Sequence, residues 1–338
     1  MSSIGVGAAQ TGASIRGGLC RFREGPWAPL GDPVVMAALT DDSLEEASAV
    51  AAGYVEGAWH ARLVALAGLA LSDALASDAP SDAPVTLMLG LADARTGAEP
   101  PSRGLWRGIE AVLGHPIDAP RSQTFATGRA SIFDALVAAH ELLQQDPSAR
   151  VVCGAVDSYV DEQRVRQECE AQRTQGGEYA VDGRALGEGA GMLVMRASLR
   201  GSGLLIDAVG RHTDAGHRAG TEPARGEGVA NAIEALRGDS DSDRPFASVW
   251  TGLTGEVFDA KQWGTACLRH RDLLTAQTRV EHPADRFGDA GAGLGALLFV
   301  DAHLRLTQQN RPSPALLWAG SDFGAIGCAA VHTPERRS

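Results

Sequence analysis

Residue types able to do chemistry are present in this chain, but few of them cluster. Its five cysteines, Cys20, Cys153, Cys169, Cys267 and Cys328, form no CxxC pair and are odd in number, which argues against a zinc knuckle and against a disulfide framework. They read as reduced thiols, with Cys153 and Cys328, set in apolar runs, as packed small residues. His212-Thr213-Asp214-Ala215-Gly216-His217 has the outward look of a metal pair, two histidines with a carboxylate between them. A glycine-rich run, Asp182-Gly183-Arg184-Ala185-Leu186-Gly187-Glu188-Gly189-Ala190-Gly191, permits a tight turn into an apolar strand. A carboxylate buried there, at Glu188, needs backbone N–H donors around it.

The elements that must position these residues follow from composition and periodicity. The 338 residues are 44% apolar and 21% charged, enough to bury a sizeable core in one large domain or two fused ones. A balance of 30 basic against 42 acidic residues repels a nucleic-acid backbone or an anionic membrane, so neither is an expected partner. The opening MSSIGVGAAQTG lacks a cationic region followed by an apolar core, and no uncharged stretch approaches the roughly 20 residues of a membrane span. The expectation is a soluble, cytoplasmic protein.

Short apolar runs alternate with longer stretches of helical period, the mark of an α/β protein with buried strands. Strands are expected at Ile4–Ala8, Val85–Gly90, Val151–Val156, Ala190–Met195, Leu204–Val209, Ser248–Thr251 and Leu316–Ala319. Helices are expected at Leu44–Gly53, Trp59–Leu75, Ser131–Leu143, Gly228–Leu236 and Ala292–Leu306. Leu294–Phe299 within the last reads either as strand or as helix, and helix is preferred. Ser77–Pro84 and Arg237–Pro245 read as surface loops. The natural division falls near Ala197–Gly203, giving similar halves 1–198 and 199–338.

The glycine-rich run resembles the DG-x-x-LGEGA(G) pattern of the β-ketoacyl-ACP synthases of the thiolase superfamily. In chain order, Ile4–Gly12 resembles that family's opening strand and turn, and Val151–Ser158 its strand ending in a GG-x-(D/E)-(S/A) turn. Pro223–Gly228 is similar to its P-x-x-GEG segment, and Ser321–Gly327 to its N-S-F-G-F-G-G turn. The resemblance covers nearly the whole chain and implies a five-layered αβαβα fold of two similar halves.

It also implies that the family's catalytic residues are gone. Against T-A-C-A-T-G, the stretch Thr124-Phe125-Ala126-Thr127-Gly128 places Phe125 at the nucleophilic cysteine. Against H-G-T-x-T-x-x-x-D and G-H-x-x-G-A-A-G, the two histidine positions fall on Thr251 and Asp285. A hydroxyl cannot become a cationic donor, and a carboxylate repels an enolate. His282 lies three residues before Asp285 and reads as a loop-border histidine. The resemblance gathers Phe125, Thr124, Thr127, Thr251, Thr254, Asp285, Phe323, Gly324 and Ala325 around the ancestral pocket. It makes Asp182, Gly183, Gly187, Glu188 and Gly189 the structural motif. Ala325 and Ile326 replace the second Phe-Gly of the oxyanion turn, where a β-branched residue disfavours positive φ. The hydroxyls of Ser122, Thr124, Thr127 and Ser131 have no base near them in sequence. The histidine pair at 212 and 217 matches a polar loop of the family, so no metal and no cofactor is expected.

The expected function is that of a non-catalytic binding protein, either an adaptor for a protein client or the silent partner of an active ketosynthase. A homodimer, or a heterodimer with a related subunit, is expected, pairing through the strand that follows Ser131–Leu143. The rivals are an acyltransferase or hydrolase using unconventional residues, and a plain binder of an acyl group or acyl carrier protein.

Overall fold

The computed structural model describes residues 1–97, 104–175, 182–197, 203–237, 244–308 and 313–334. Its first part contains α1 (Ala8–Arg16), β1 (Arg23–Glu24), β2 (Val35–Ala37), α2 (Asp42–Ala51), α3 (Ala58–Ala76), β3 (Thr86–Gly90) and α4 (Leu105–Leu113). There follow β4 (Gln123–Phe125), α5 (Ser131–Gln145), β5 (Val151–Ser158), α6 (Glu162–Glu170) and β6 (Leu186–Met195). The remainder is β7 (Leu205–Thr213), α7 (Gly228–Arg237), β8 (Ser248–Thr251), α8 (Val257–Arg269), β9 (Arg279–Glu281), α9 (Ala284–Phe287), α10 (Ala292–His303), β10 (Ala315–Gly320) and β11 (Ala325–His332). The expected division near 197–203 falls largely on residues outside those described, as does most of the loop expected at Arg237–Pro245.

The strands form two sheets, ordered β1-β2-β6-β5-β3-β4 and β7-β11-β10-β8-β9. Within them β6-β5-β3-β4 and β11-β10-β8-β9 repeat one pattern: an antiparallel pair, then two parallel ones. Period-two burial assigns the layers. Val151, Cys153 and Ala155 of β5 face the core between the sheets, while Val152 and Val156 face the outer layer of α2, α3 and α4. Likewise Ala315, Leu317 and Ala319 of β10 face inward, and Leu316 and Trp318 face α7 and α8. With α5 and α10 between the sheets, the architecture is αβαβα. No helix among the described residues is long and apolar enough to cross a membrane.

The ambiguous run Leu294–Phe299 is a helix because it lies between two sheets and is buried all round; such a helix carries no polar face. Its glycines bring backbones together. A Cβ on Gly293 would stand 2.2 Å from Gly189 O, and one on Gly295 2.3 Å from Arg129 O.

Two expectations need correction. Ile4–Ala8 is no strand: the chain folds back at Gly5, where a Cβ would meet Thr11 N at 2.3 Å, and α1 begins at Ala8. Only the first residues touch β6, through Ser2 and Gly189. Second, β5 is not an edge strand, since β3 and β6 flank it, and the edge at that end of the sheet is β4. The sequence pattern also passed over β11, whose Ala, Gly and Cys carry little strand propensity. Tertiary packing selects them: a Cβ on Gly327 would come within 2.2 Å of the Phe133 ring. Gly327→Ala should therefore overpack the central layer and cost about 1–3 kcal/mol. Urea denaturation should show a lower midpoint with an unchanged slope.

Candidate functional site

The mouth of α5 is the place where a helix N-terminus could activate a nucleophile. β4 leads through Ala126 and Thr127 into a 3₁₀ turn, Gly128–Ala130, and then α5. Phe125 is the last residue of the strand, half-buried against the inter-sheet core. The residue at the mouth is Gly128, with φ +63°. It has no side chain, and a Cβ there would meet Ser321 Oγ at 2.9 Å. Ser321 occupies the mouth instead, accepting from Ala130 N at 3.1 Å and donating to Thr127 O. Phe125, the residue that the resemblance sets at the nucleophilic cysteine, ends β4 three residues before Gly128, and neither residue carries a nucleophilic side chain.

The nearby hydroxyls are otherwise engaged or isolated. Thr127 Oγ1 donates to Asp134 at 2.6 Å, Ser122 Oγ donates to Asp118 O at 2.8 Å, and Thr124 is exposed. Ser131 Oγ is buried without a partner. None of them is hydrogen-bonded to a histidine.

Behind the mouth lies a cluster of buried ion pairs. Arg129 donates to both oxygens of Asp289, Nε at 2.9 Å, and reaches Asp322 at 3.3 Å. Arg184 pairs with Asp289 at 2.6 Å, Glu256 at 2.8 Å and Glu168 at 2.9 Å. Arg173 holds Glu256 in a two-pronged contact, 2.9 Å on each side, and Asp322 at 2.8 and 2.9 Å. Arg218 closes the set 3.3 Å from Glu256, its guanidinium over the Phe258 ring. Four guanidinium groups thus face the four carboxylates of Glu168, Glu256, Asp289 and Asp322. Arg184, Glu256 and Asp289 have fully buried side chains.

Charge balance shapes the titration of this cluster. Burial alone would raise the Asp289 carboxyl, but Arg129 and Arg184 outweigh it and hold it at about 2. Glu256 is likewise held below the usual carboxylate range against its burial, by Arg184 and Arg173. Asp322, against its own burial, sits well below it, chiefly through Arg129 and Arg184. Asp259, 3.4 Å from Thr254, lacks such compensation, and burial pushes it up to about 6. Thr254 itself reaches toward Glu256 at 3.5 Å.

The cavity left beside the cluster measures about 20 Å³ and is lined by Gly128, Arg129, Asp157, Tyr159, Asp322 and Phe323 among others. That is room for about one water molecule. Of the expected convergence of Phe125, Thr251, Asp285 and Phe323, only Phe323 lines this space, with the Arg95 guanidinium 4.6 Å from its ring centre. Thr251 ends β8; its hydroxyl donates to Glu281 O at 3.0 Å and lies 2.9 Å from His282 Nδ1. Asp285 is exposed. The four-residue α9 buries Ala284 and Phe287, an i,i+3 pair, which turns Asp285 outward; the carboxylate that enters the interior is Asp289.

Gly324 has φ +92°, and Ala325 and Ile326 begin β11 opposite Thr213 and His212. His217 packs near Phe323, ring centres 6.3 Å apart, and among the described residues no group of three metal-ligating side chains converges.

The glycine-rich run is tightly packed and hydrogen-bonded within the fold. Glu188 is buried and accepts from Leu39 N at 2.7 Å, from Ser158 Oγ at 2.7 Å, and from Arg62 at 2.6 and 2.7 Å. One backbone donor and a two-pronged guanidinium replace the several backbone donors expected. Asp182 accepts from Val257 N at 2.7 Å, at the start of α8. Cβ atoms on Gly183, Gly187 and Gly189 would collide with Thr174 O, Phe287 O and Met1 O at 2.6, 2.5 and 2.9 Å.

Sequence reasoning singled out neither Arg129, Arg173, Arg218 and Glu256 nor Asp289 and Asp322. The usable signal was two acidic residues, Asp289 and Asp322, at pattern positions held by alanine and serine. Carboxylates in such tight turns require cations.

No family model and no curated protein matches this chain. Solved structures do. A type II polyketide ketosynthase, described as AntDE bound to the acyl-carrier protein AntF, matches with TM-score 0.76 and 14% identity, covering 98% of this chain and 97% of that one. The ishigamide ketosynthase/chain length factor matches with TM-score 0.70 and 18% identity, covering 99% and 97%. The ketosynthase ApeO with its chain length factor ApeC, from Xenorhabdus doucetiae, gives 0.67 and 14%, covering 99% and 96%. The protein therefore has the thiolase-like fold of the ketosynthases.

Asp289→Asn should leave Arg129 and Arg184 short of a carboxylate and cost about 3–5 kcal/mol at neutral pH. Because the folded carboxyl titrates below the unfolded value of about 3.9, its contribution is complete above that value and fades as pH falls through about 2. The stability gap between native and variant protein should narrow over that window; an unchanged gap at pH 2 would contradict the assignment.

Proposed function

We propose that this protein is a catalytically degenerate ketosynthase homologue that works by binding, as an adaptor or as the silent partner of a related subunit, with similar halves at 1–198 and 199–338. The observation that carries this reading is the helix mouth. Phenylalanine stands at the position that the resemblance assigns to the cysteine, glycine at the helix mouth, and the space behind is filled by paired arginines and carboxylates. Condensation needs a thiolate to hold the acyl group and cationic or neutral donors at the enolate. The described cavity offers neither. An acyltransferase or hydrolase on other residues would need a hydroxyl with an adjacent free base; no histidine bonds the hydroxyls at the mouth, and the carboxylate that accepts from Thr127, Asp134, is itself paired with Arg211 at 3.0 Å. The neighbours with a chain length factor and with an acyl-carrier protein favour a related subunit or a carrier protein as partner.

Incubation with malonyl- or acyl-thioesters should leave the intact mass unchanged and release no carbon dioxide. Phe125→Cys should give at most slow thiol acylation and no condensation, since residues acting as a unit contribute non-additively. Thioester turnover by the unmodified protein would refute the reading.

The partner surface best supported is the open edge of β4. Leu91 N donates to Phe125 O, so by strand alternation Thr124 directs its N–H away from β3 toward that edge. Thr124→Pro removes this donor without breaking the ladder to β3. At about 1 M salt, where surface charge attraction is screened, it should yield monomers in light scattering with an unchanged circular dichroism spectrum.

A further inference from the structure

At the far end of the first sheet from β4, the chain displays a second surface. Arg16 to Glu24, from the end of α1 through β1, is exposed without interruption. It carries three arginines, Arg16, Arg21 and Arg23, on a chain of net charge −12. Between them stand Leu19, 59% exposed, and Phe22, 37% exposed. Among the described residues none of these arginines is ion-paired. The arm is held in place: Arg286 donates to Gly18 O at 3.2 Å, β1 pairs with β2, and Gly25 N donates to Val34 O at 2.7 Å. An ordered strip that keeps two large apolar side chains and unpaired cations in water has the composition of an interface core with a basic rim.

A surface of matching chemistry exists on the same chain. On α2, Asp42, Glu46 and Val50 recur every four residues and share one exposed face, with Tyr54 following just beyond the helix. Val50 is 46% and Tyr54 47% exposed. Asp42 and Glu46 have no ion pair among the described residues. Among the described residues no ion pair joins α2 to the arm, so this stripe does not neutralise the arm's arginines within one molecule. Two acidic groups followed by two apolar ones complement arginines interleaved with Leu19 and Phe22.

We propose that the Arg16–Glu24 arm docks onto the acidic face of α2 on a second copy of this chain. Arg21 and Arg23 would pair with Asp42 and Glu46, and Leu19 and Phe22 would cover Val50 and Tyr54. This surface is separate from the β4 edge, since β1 and β4 lie at opposite ends of the sheet. A copy can engage both.

The test is a charge swap, read by sedimentation equilibrium of the full chain with Thr124→Pro in the background, so that β4 pairing contributes nothing. The parent protein should self-associate at about 0.01 M salt and dissociate at about 1 M, as the Debye length falls from about 30 to about 3 Å. Arg21→Glu with Arg23→Glu, or Asp42→Arg with Glu46→Arg, should each weaken association about tenfold or more. Mixing the two variants restores opposite charges and should recover association. A parent that stays monomeric at low salt, either variant associating as well as the parent, or a mixture that stays dissociated would overturn the proposal. Leu19→Ser with Phe22→Ser, which changes no charge, should also weaken association, and an unchanged constant there would count against the apolar contact. Pairing through β4 is tested separately by Thr124→Pro alone, so the two interfaces can fail independently.

Discussion

Asp289 lies fully buried between the guanidinium groups of Arg129 and Arg184, and the arrangement around it constrains everything nearby. A carboxylate taken from water into such a site costs several kcal/mol unless its partners are in place, and the same holds for each arginine. The groups come from separated segments: the mouth of α5, the turn before α10, the stretch between α6 and β6, the start of α8 and the β10–β11 turn. A shift of any one strands a charge. The pairs therefore register loops of both sheets against one another.

The cluster can exist because the scaffold brings these segments together. Two sheets clamp α5 and α10, and glycines at the contact planes let backbones approach where larger residues would hold them apart. The helix mouth, the glycine-rich turn before β6 and the turn after β10 then meet on one side of that layer. The overall fold is shared with solved ketosynthases. A fold fixes where chemistry could occur, and the residues at that point decide what occurs. Here they are mutually neutralising.

The architecture was legible in the sequence because the buried strands and helices announce themselves by period and length. Val151–Ser158 and Ala58–Ala76 owe their form to apolar content that burial in any α/β core would exploit. The glycine-rich motif was equally legible: Gly183, Gly187 and Gly189 are glycine because another backbone occupies the place of a Cβ. Elements with weak propensity, such as β11 and β4, were invisible, since only pairing with neighbours makes Ala325–His332 or Gln123–Phe125 a strand.

The sequence by itself determined that no cysteine stands before the central helix and that the turns keep their glycines. Which residue faces the mouth was decided by tertiary structure, because the 3₁₀ turn at Gly128–Ala130 advances the chain past Phe125 before the helix begins. Tertiary structure also decided that Asp289 rather than Asp285 turns inward, through the burial of Ala284 and Phe287. It alone paired Arg129 with Asp289 across 160 positions of sequence. A charge can be read from a sequence, but its counter-charge is chosen by distance in space, and Coulomb attraction between buried groups follows that distance and the local dielectric, not the order of the chain.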